Sequence, residues 1–429
     1  MPRRGSGSLA WKIALTALVT FVLVVIGLNF VTGEKRIEAS PKRLYSIEDP
    51  QFKRALGSLL GPPIVSGNLV ATMRNGDEIF PAMLAAIRSA QKNINFETYV
   101  YWSGDIGREF ADAIAERARA GVRAHVLLDW VGSQKMDKEA LQTLRDSGAR
   151  VEYYHPLRWY NLARLNNRTH RKLLVVDGRV AFTGGVGIAE EWTGNAQDPL
   201  HWRDSHFRVE GPVVAQMQAG FLDNWMKVTG EVDHGADYFP PLASVGEMDA
   251  QMFLSSPSGG SDSMELMYLL AINAAQKSIL LEAAYFIPDE LSIGALIAAR
   301  ERGVDVRVIV PGPVNDAKVT SYASHSTWGP ILEAGGKIYE FQPTMFHCKV
   351  LIVDDLLVSL GSTNFDARSF RINDEASLNV YDATFAREQS RIFAEDQERS
   401  REYTYADWQN RPWHQRLREW VSSTVQSQL

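Results

Sequence analysis

The feature that most constrains how this chain can fold is a motif that occurs twice. Residues 169–185 read THRKLLVVDGRVAFTGG, and residues 347–362 read HCKVLIVDDLLVSLGS. Both copies contain the pattern HxKxxxxD, formed by His170, Lys172 and Asp177 in the first and by His347, Lys349 and Asp354 in the second. A glycine pair or a Gly-Ser pair follows each copy. A recurrence of this length predicts an internal duplication.

The segments before the two motifs are related in the same order. Residues 79–102 and 264–286 share the sequence Ala-Gln-Lys, and both pass from helical spacing of apolar residues to strand character. Residues 116–130 and 299–312 then match, with Gly121 and Gly303 placed as helix C-caps. The sequence therefore predicts an α/β protein with two related lobes, each a mixed β-sheet flanked by helices.

Length agrees with a division into lobes, because 429 residues exceed the size at which one hydrophobic core usually stops growing. The segment 231–248 is rich in Pro, Gly and Asp and is typical of a junction. We predict a membrane anchor over residues 1–37, a first lobe over 38–240, and a second lobe with a helical tail over 241–429.

Composition limits the ligands and the metal sites to be expected of this chain. A formal charge of −6 provides no overall attraction to nucleic acid, although a local basic cleft is compatible with it. Cys348 is the single cysteine of the chain, so an internal disulfide and a zinc site built from several thiolates are excluded.

The N-terminal segment has the character of a membrane span. Ile13 to Val31 contain no charged residue, and about 20 helical residues cover a hydrocarbon core of ~30 Å. A cleaved signal peptide is the rival interpretation, but no clear cleavage site follows, which favours an uncleaved single-pass anchor. Basic residues flank both ends, so the side of the membrane that holds the catalytic lobes stays open.

The doubled His-Lys pattern indicates a shared site. In each copy the two side chains lie two residues apart and so point to the same face of a strand. A single copy could simply begin a strand at an exposed end. Two copies in facing lobes would bring two imidazoles and two ammonium groups around one point, which suits a phosphodiester that needs a nucleophile, an acid and fixed positive charge.

These motifs resemble the signature of the phospholipase D superfamily, and among its members the chain is most similar to the bacterial cardiolipin synthases. The resemblance covers nearly all of the chain after residue 60, including residues 93–102, 201–214 and 347–380. It implies an active site at a pseudo-twofold interface and a membrane-bound transferase that makes cardiolipin from phosphatidylglycerol. It also implies a phosphohistidine intermediate and no metal or other cofactor.

The resemblance further implies roles for individual residues. His170 is expected to be the nucleophile and His347 the acid and base, with Lys172, Lys349 and Asn364 holding the phosphoryl oxygens. The family usually has Asn in both copies, but the first copy here has Gly187, so the first lobe is expected to provide one hydrogen bond fewer.

Carboxylates complete the expected site. Asp204 and Glu375 match the family's orienting acids, although each could also be an ordinary surface carboxylate in an ion pair. Asp177 and Asp354 belong to the catalytic signature, but we expect them to anchor the turns after their strands. Because one imidazole must start neutral and the other protonated, we expect their environments to shift the two pKa values apart.

Other interpretations remain. A phospholipase D that releases phosphatidic acid fits the same motifs, as does a metal-independent nuclease, which the acidic composition and the anchor disfavour. A non-catalytic scaffold is disfavoured by the intact motifs. His201, Asp204 and His206 could indicate a metal site, yet no further ligand cluster accompanies them.

Two segments, 156–170 and 412–425, combine arginines with Trp or other apolar residues, so either could touch a lipid surface or belong to an ordinary loop or packed helix.

Overall fold

The structure is a computed structural model that describes residues 6–30, 37, 39–43, 45–157, 166–256 and 263–429. It begins with helix α1, Ser6–Phe30. Along α1, Leu9, Trp11 and Leu23 are each more than half exposed. Among the described residues, no helix combines the length and the apolar character needed to cross a membrane. Val31, the last residue of the predicted anchor, lies outside the described residues.

The remaining described elements form two runs with a similar succession of helices and strands, to which the second run adds short helices and a C-terminal extension. Before the first run comes α2, Pro50–Leu59. The first run is β1 Val65–Arg74, α3 Asn75–Ser89, β2 Asn93–Thr98, α4 Asp105–Arg119, β3 Arg123–Asp129, α5 Lys138–Asp146, β4 Arg150–Tyr154, β5 Leu173–Val176, β6 Val180–Gly184, β7 Ser205–Glu210 and α6 Val214–Thr229. The second run is β8 Met248–Ser255, α7 Ser263–Ala274, β9 Ser278–Ala283, α8 Glu290–Glu301, β10 Asp305–Pro311, α9 Lys318–Thr327, α10 Gly329–Glu333, β11 Lys337–Phe341, β12 Lys349–Val353, β13 Leu357–Gly361, α11 Ala367–Arg371, β14 Glu375–Tyr381, α12 Ala383–Glu398, β15 Ser400–Tyr403, α13 Tyr405–Gln409 and α14 Trp413–Ser423.

The strand order also repeats. The first lobe has the order β1-β7-β6-β5-β2-β3-β4, and the second has β8-β14-β13-β12-β9-β10-β11, with β15 added at its edge. Strands β2, β3 and β4 are parallel, as are β9, β10 and β11, while the other neighbours are antiparallel. Both lobes are therefore mixed sheets, as the repeat predicted. They meet where β1 pairs with β8 around Val65 and Asn68.

Both faces of the central strands are buried, which explains their continuous apolar sequences. In β5, Val175 packs in a core shared by the two lobes, whereas Leu174 packs beneath the helices of the first lobe. In β12, Ile352 enters the shared core and Leu351 packs beneath the helices of the second lobe. The shared core therefore holds the two strands that follow the HxK motifs against one another.

Helix α2 differs from the predicted domain division. The sequence assigns residues 38–64 to the first lobe. Phe52 and Leu56 of α2 are buried instead in the core of the second lobe, and the Phe52 ring lies edge-on to Tyr381. The chain before β1 therefore covers the second lobe before it enters the first.

The signature aspartates follow β5 and β12 and hold the turns after these strands against the backbone that precedes the neighbouring strands β2 and β9. Asp177, with φ of 54°, accepts hydrogen bonds from the backbone N–H groups of Gln91, Lys92 and Asn93 at 2.7–2.9 Å. Asp354 accepts the three equivalent bonds from residues 276–278 at 2.7–2.9 Å. This is the geometry of a turn anchor, in which the carboxylate satisfies backbone donors just before the neighbouring strand begins.

Candidate active site

Backbone hydrogen bonds between the lobes bring the two motifs together. The N–H of His170 donates to the carbonyl of Asp374 at 2.8 Å, and the N–H of Asp374 donates to the carbonyl of Arg168 at 2.9 Å. The equivalent pair links His347 N–H to Arg203 O at 2.8 Å and Arg203 N–H to Met345 O at 2.9 Å. The segment that carries each histidine is thus paired with the segment that carries the other lobe's carboxylate.

Each histidine is consequently paired with a carboxylate of the opposite lobe. His170 Nδ1 lies 3.0 Å from both carboxylate oxygens of Glu375, and His347 Nδ1 lies 2.7 Å from Asp204 Oδ2. Both carboxylates are fully buried. Because Nδ1 of each ring faces a carboxylate, Nε2 is the nitrogen that can react, and Nε2 of His347 also lies 3.3 Å from Lys349 Nζ.

The two carboxylates are themselves held by different donors. Ser362 Oγ donates to Glu375 at 2.5 Å, whereas Trp192 Nε1 donates to Asp204 at 2.8 Å. Gly185 stands where the second lobe has Ser362, and a Cβ on Gly185 would lie 2.2 Å from Asp204. The first lobe therefore has a glycine beside Asp204, whereas the second lobe has a serine beside Glu375. Sequence reasoning missed both donors, although Ser362 stands within the repeated Gly pair.

The lysines of the motifs are buried next to the histidines. Lys172 Nζ donates to the carbonyl of His170 at 3.0 Å, and Lys349 Nζ donates to that of His347 at 2.6 Å. Burial, together with the charge of Lys349, lowers the pKa of Lys172 to about 7. Burial also lowers the pKa of Lys349. Two ammonium groups at such a site favour an anionic ligand.

Burial also sets the charge of the histidine pairs at rest. It lowers the pKa of His170 to about 4, even though Glu375 opposes the effect, and it lowers the pKa of His347. Burial acts to raise the pKa values of Glu375 and Asp204, but their histidine partners outweigh it and hold both below the usual value. Burial therefore lowers the pKa of both imidazoles in the empty site, whereas opposite shifts were expected. An anionic phosphodiester between the rings would raise both imidazole pKa values.

The asymmetry at Gly187 has a steric cause. A Cβ on Gly187 would lie 2.7 Å from the Cβ of Val100 and 3.2 Å from the ring of Trp192, so no asparagine fits there. Asn364, at the corresponding place in the second lobe, is buried and lines the pocket, with its Oδ1 lacking a hydrogen-bond partner.

A pocket of about 410 Å³ opens onto the two histidines. His170, Lys172, His347 and Asn364 line it, whereas Lys349 lies behind His347. Sequence reasoning missed several other wall residues because they lie outside the two motifs, in loops or in α11: Tyr99, Trp202, Tyr285, Asp316, Asp366 and Arg368.

Two further sequence expectations concern the same region. Within the part of the chain that the structure describes, no three His, Cys, Asp or Glu side chains form a group that could hold a metal ion. Arg158 and Arg164 of the segment 156–170, which could touch a lipid surface or belong to an ordinary loop, lie outside the described residues. Arg168 of the same segment is only 2% exposed and forms part of the pocket wall.

Comparison with known proteins agrees with this architecture. The family described as "Cardiolipin synthase, PLD-like domain" matches residues 83–225 and 268–397, more than half of the chain. The major cardiolipin synthase ClsA of Bacillus subtilis strain 168 is 34% identical over 359 residues, which cover 83% of this chain and 74% of that protein. A cardiolipin synthase of Geobacillus kaustophilus strain HTA426 is 34% identical over 84% of this chain and 72% of its own length.

A solved structure shares the fold. The phosphatidylserine synthase of Haemophilus influenzae Rd KW20 superposes with a TM-score of 0.65 at 15% identity, covering 88% of this chain and 99% of that chain. The two HxKxxxxD motifs, the repeated strand order and these relatives lead to one conclusion. The chain belongs to the cardiolipin synthase family of phospholipase D-like proteins.

Proposed function

We propose that this protein is a membrane-bound cardiolipin synthase that transfers the phosphatidyl group of one phosphatidylglycerol to a hydroxyl of another and releases glycerol. One observation carries the proposal. Two imidazoles, each fixed at Nδ1 by a buried carboxylate of the opposite lobe, line one pocket beside buried lysines. The names of the related proteins support the choice of lipid substrate.

In the first half of the reaction, Nε2 of His170 attacks phosphorus. The bond from phosphorus to the glycerol oxygen breaks, and His347, protonated at both ring nitrogens once the anionic phosphodiester is bound, gives its Nε2 proton to that oxygen. Lys172, Lys349 and Asn364 stabilise the charge on the phosphoryl oxygens. The product of this half is free glycerol and a phosphatidyl group bound to His170.

In the second half, the bond to His170 is broken and His347 acts as a base. His347, now neutral, accepts the proton of the acceptor hydroxyl, whose oxygen forms a bond to phosphorus while the His170 nitrogen–phosphorus bond breaks. Both halves need His170 as a nucleophile and leaving group, and His347 as acid and then base. Transfer competes with hydrolysis, because water attacking the same intermediate would yield phosphatidic acid.

Two helices support membrane association. α1 exposes apolar side chains along its length, and we propose that residues 13–31 form an uncleaved anchor. In α14 the apolar side chains are exposed and a charged side chain is buried, the reverse of an ordinary surface helix. Trp413 and Trp420 are 76% and 66% exposed, while Glu419 is buried in an ion pair with Arg411 at 2.7 Å. An outward apolar face is typical of a helix that lies on a lipid surface. Gln428 and Leu429, which follow α14, line the active-site pocket.

The proposal is tested by incubating the detergent-solubilised protein with phosphatidylglycerol, with and without EDTA. We expect cardiolipin and glycerol in equal amounts, and we expect the conversion to persist in EDTA because the charge stabilisers are side chains. Phosphatidic acid as the main product would instead identify a phospholipase D. Complete loss in EDTA with recovery on adding a divalent ion would contradict a metal-free reaction.

A further inference from the structure

The pocket contains a second group suited to an anion, the guanidinium of Arg168. Arg168 is 2% exposed, yet none of its three side-chain nitrogens has a hydrogen-bond partner. It forms part of the wall of the active-site pocket. A buried guanidinium without hydrogen bonds is costly, so its donors are available to a ligand that enters the pocket.

The neighbouring acid does not satisfy Arg168. Asp129 Oδ1 lies 3.7 Å from Arg168 Nη1, which is beyond hydrogen-bonding distance. The Asp129 oxygens accept instead from the backbone N–H groups of Val131, Gly132 and Thr169 at 2.9–3.1 Å. Asp129 therefore offsets part of the charge of Arg168 and leaves its N–H groups unused.

Tyr99 lines the pocket together with Arg168 and the reacting groups. The ring of Tyr99 lies 5.2 Å from that of His170 and 5.8 Å from Lys172 Nζ. The phenol on that ring is influenced electrostatically by Asp129, Arg368 and Arg168. Arg168 and Tyr99 therefore line one pocket with the histidine pair, and Arg168 lies two residues before His170 in the chain.

Arg368 extends the positive charge of this region but is already engaged. Its guanidinium donates to the carbonyl and side-chain oxygens of Asn166 and to the carbonyl of Gln428, all at 2.9–3.0 Å. Arg368 therefore fixes the wall, while Arg168 retains free donors for a bound anion.

The duplicated fold makes this feature one-sided. By the spacing of the two motifs, Arg168 corresponds to Met345, and by the register of β3 and β10, Asp129 corresponds to Pro311. The second lobe therefore has apolar residues where the first has a buried charge. A site that is symmetrical in its histidines and lysines is asymmetrical here, which allows the two substrates to be distinguished.

Building on the proposed transferase function, we propose that Arg168 binds the phosphate of the acceptor lipid. The donor phosphate lies between His170 and His347, and the acceptor carries its own phosphate one glycerol unit away from the attacking hydroxyl. Arg168 positions that hydroxyl on the phosphatidyl-histidine, where its oxygen bonds to phosphorus as the nitrogen–phosphorus bond breaks and His347 takes the proton. Arg168 thereby selects acceptor alcohols that carry a phosphate over glycerol and water.

The test separates formation of the intermediate from its use. The donor is a short-chain phosphatidyl p-nitrophenol, whose p-nitrophenolate release reports the first half without an acceptor. Glycerol 3-phosphate, glycerol and phosphatidylglycerol are then compared as acceptors, and the products are quantified. We expect the wild type to prefer the two phosphate-bearing acceptors over glycerol.

Arg168→Met, which introduces the residue of the second lobe, should reduce that preference by about 10- to 100-fold, as expected for the loss of hydrogen bonds to a charged group. Its p-nitrophenolate release is measured in parallel, and the acceptor preference is compared per p-nitrophenolate released. Arg145→Ala, an exposed arginine of the same lobe, is the matched control and should change neither quantity. If Arg168→Met does not fold, Arg168→Gln serves for the same measurement.

Two results would overturn the role of Arg168. An unchanged acceptor preference in the folded variant would exclude it, and loss of p-nitrophenolate release would assign Arg168 to the donor phosphate. Failure of the proposed function has a different signature, namely a wild type that converts phosphatidylglycerol only to phosphatidic acid. A difference between glycerol 3-phosphate and phosphatidylglycerol would distinguish recognition of the phosphate from recognition of the lipid chains.

Discussion

At the scale of single residues, the tasks proposed for the two histidines differ although their surroundings are similar. We expect His170→Ala to abolish the covalent adduct, since no nucleophile remains. His347→Ala should lower turnover of natural lipid by about 10²–10⁴-fold, the usual contribution of a positioned acid. It should still form adduct with a p-nitrophenyl diester, whose leaving group needs no proton. Acid quench and mass spectrometry locate the adduct, and an adduct on His347 in the His170→Ala variant would reverse the assignment.

The buried groups also predict a pH profile. The nucleophile is active when neutral, so kcat/KM should fall as the pH drops toward the His170 pKa of about 4. His347 must be protonated to act as the acid, and Lys172 stabilises phosphate only when protonated, so kcat/KM should fall again as the pH rises through the lowered pKa of His347 and through about 7 for Lys172. A plot of kcat/KM against pH, measured with a soluble diester, should therefore be bell-shaped between these limits. An alkaline limb that is unchanged in Lys172→Met would exclude Lys172 as its source.

At the scale of elements, α1 and α14 are expected to contribute differently to membrane binding. Without residues 1–37, alkaline carbonate should extract the protein from membranes. The shortened protein should still bind vesicles weakly through α14. Adding Trp413→Ser and Trp420→Ser should abolish that remainder, because both side chains are exposed. Activity on a soluble diester should change little in either variant. A mature N-terminus beyond Val31 in the native protein would contradict the anchor.

At the scale of the whole molecule, the active site depends on the exchange of carboxylates between the lobes. Glu375→Gln should slow adduct formation from a p-nitrophenyl diester, because Glu375 orients His170. Asp204→Asn should spare that step and slow turnover of natural lipid, because Asp204 orients His347. We expect each loss to be about 10²–10⁴-fold. Thermal unfolding of both variants controls for damage to the buried pairs, and the opposite pattern of losses would mean that the roles of the two histidines are exchanged.

The sequence alone determined the duplication, the mixed α/β lobes and the residues gathered at the site. Motif spacing and apolar periodicity act locally along the chain, so they are visible without coordinates. The two HxKxxxxD copies illustrate this, since their common spacing can be read directly from the sequence.

Only the tertiary structure decided which groups meet. Glu375 reaches His170 across 205 positions of sequence, and no local pattern specifies that its partner lies in the other lobe. The same holds for α2, whose apolar face packs on the second lobe, and for Gly187, where Val100 and Trp192 leave no space for a side chain. The sequence left Arg168 open between a lipid-facing rim and an ordinary loop, and the structure buries it. Burial and electrostatic pairing are properties of the assembled core, because they depend on which distant segments enclose a side chain and exclude water from it.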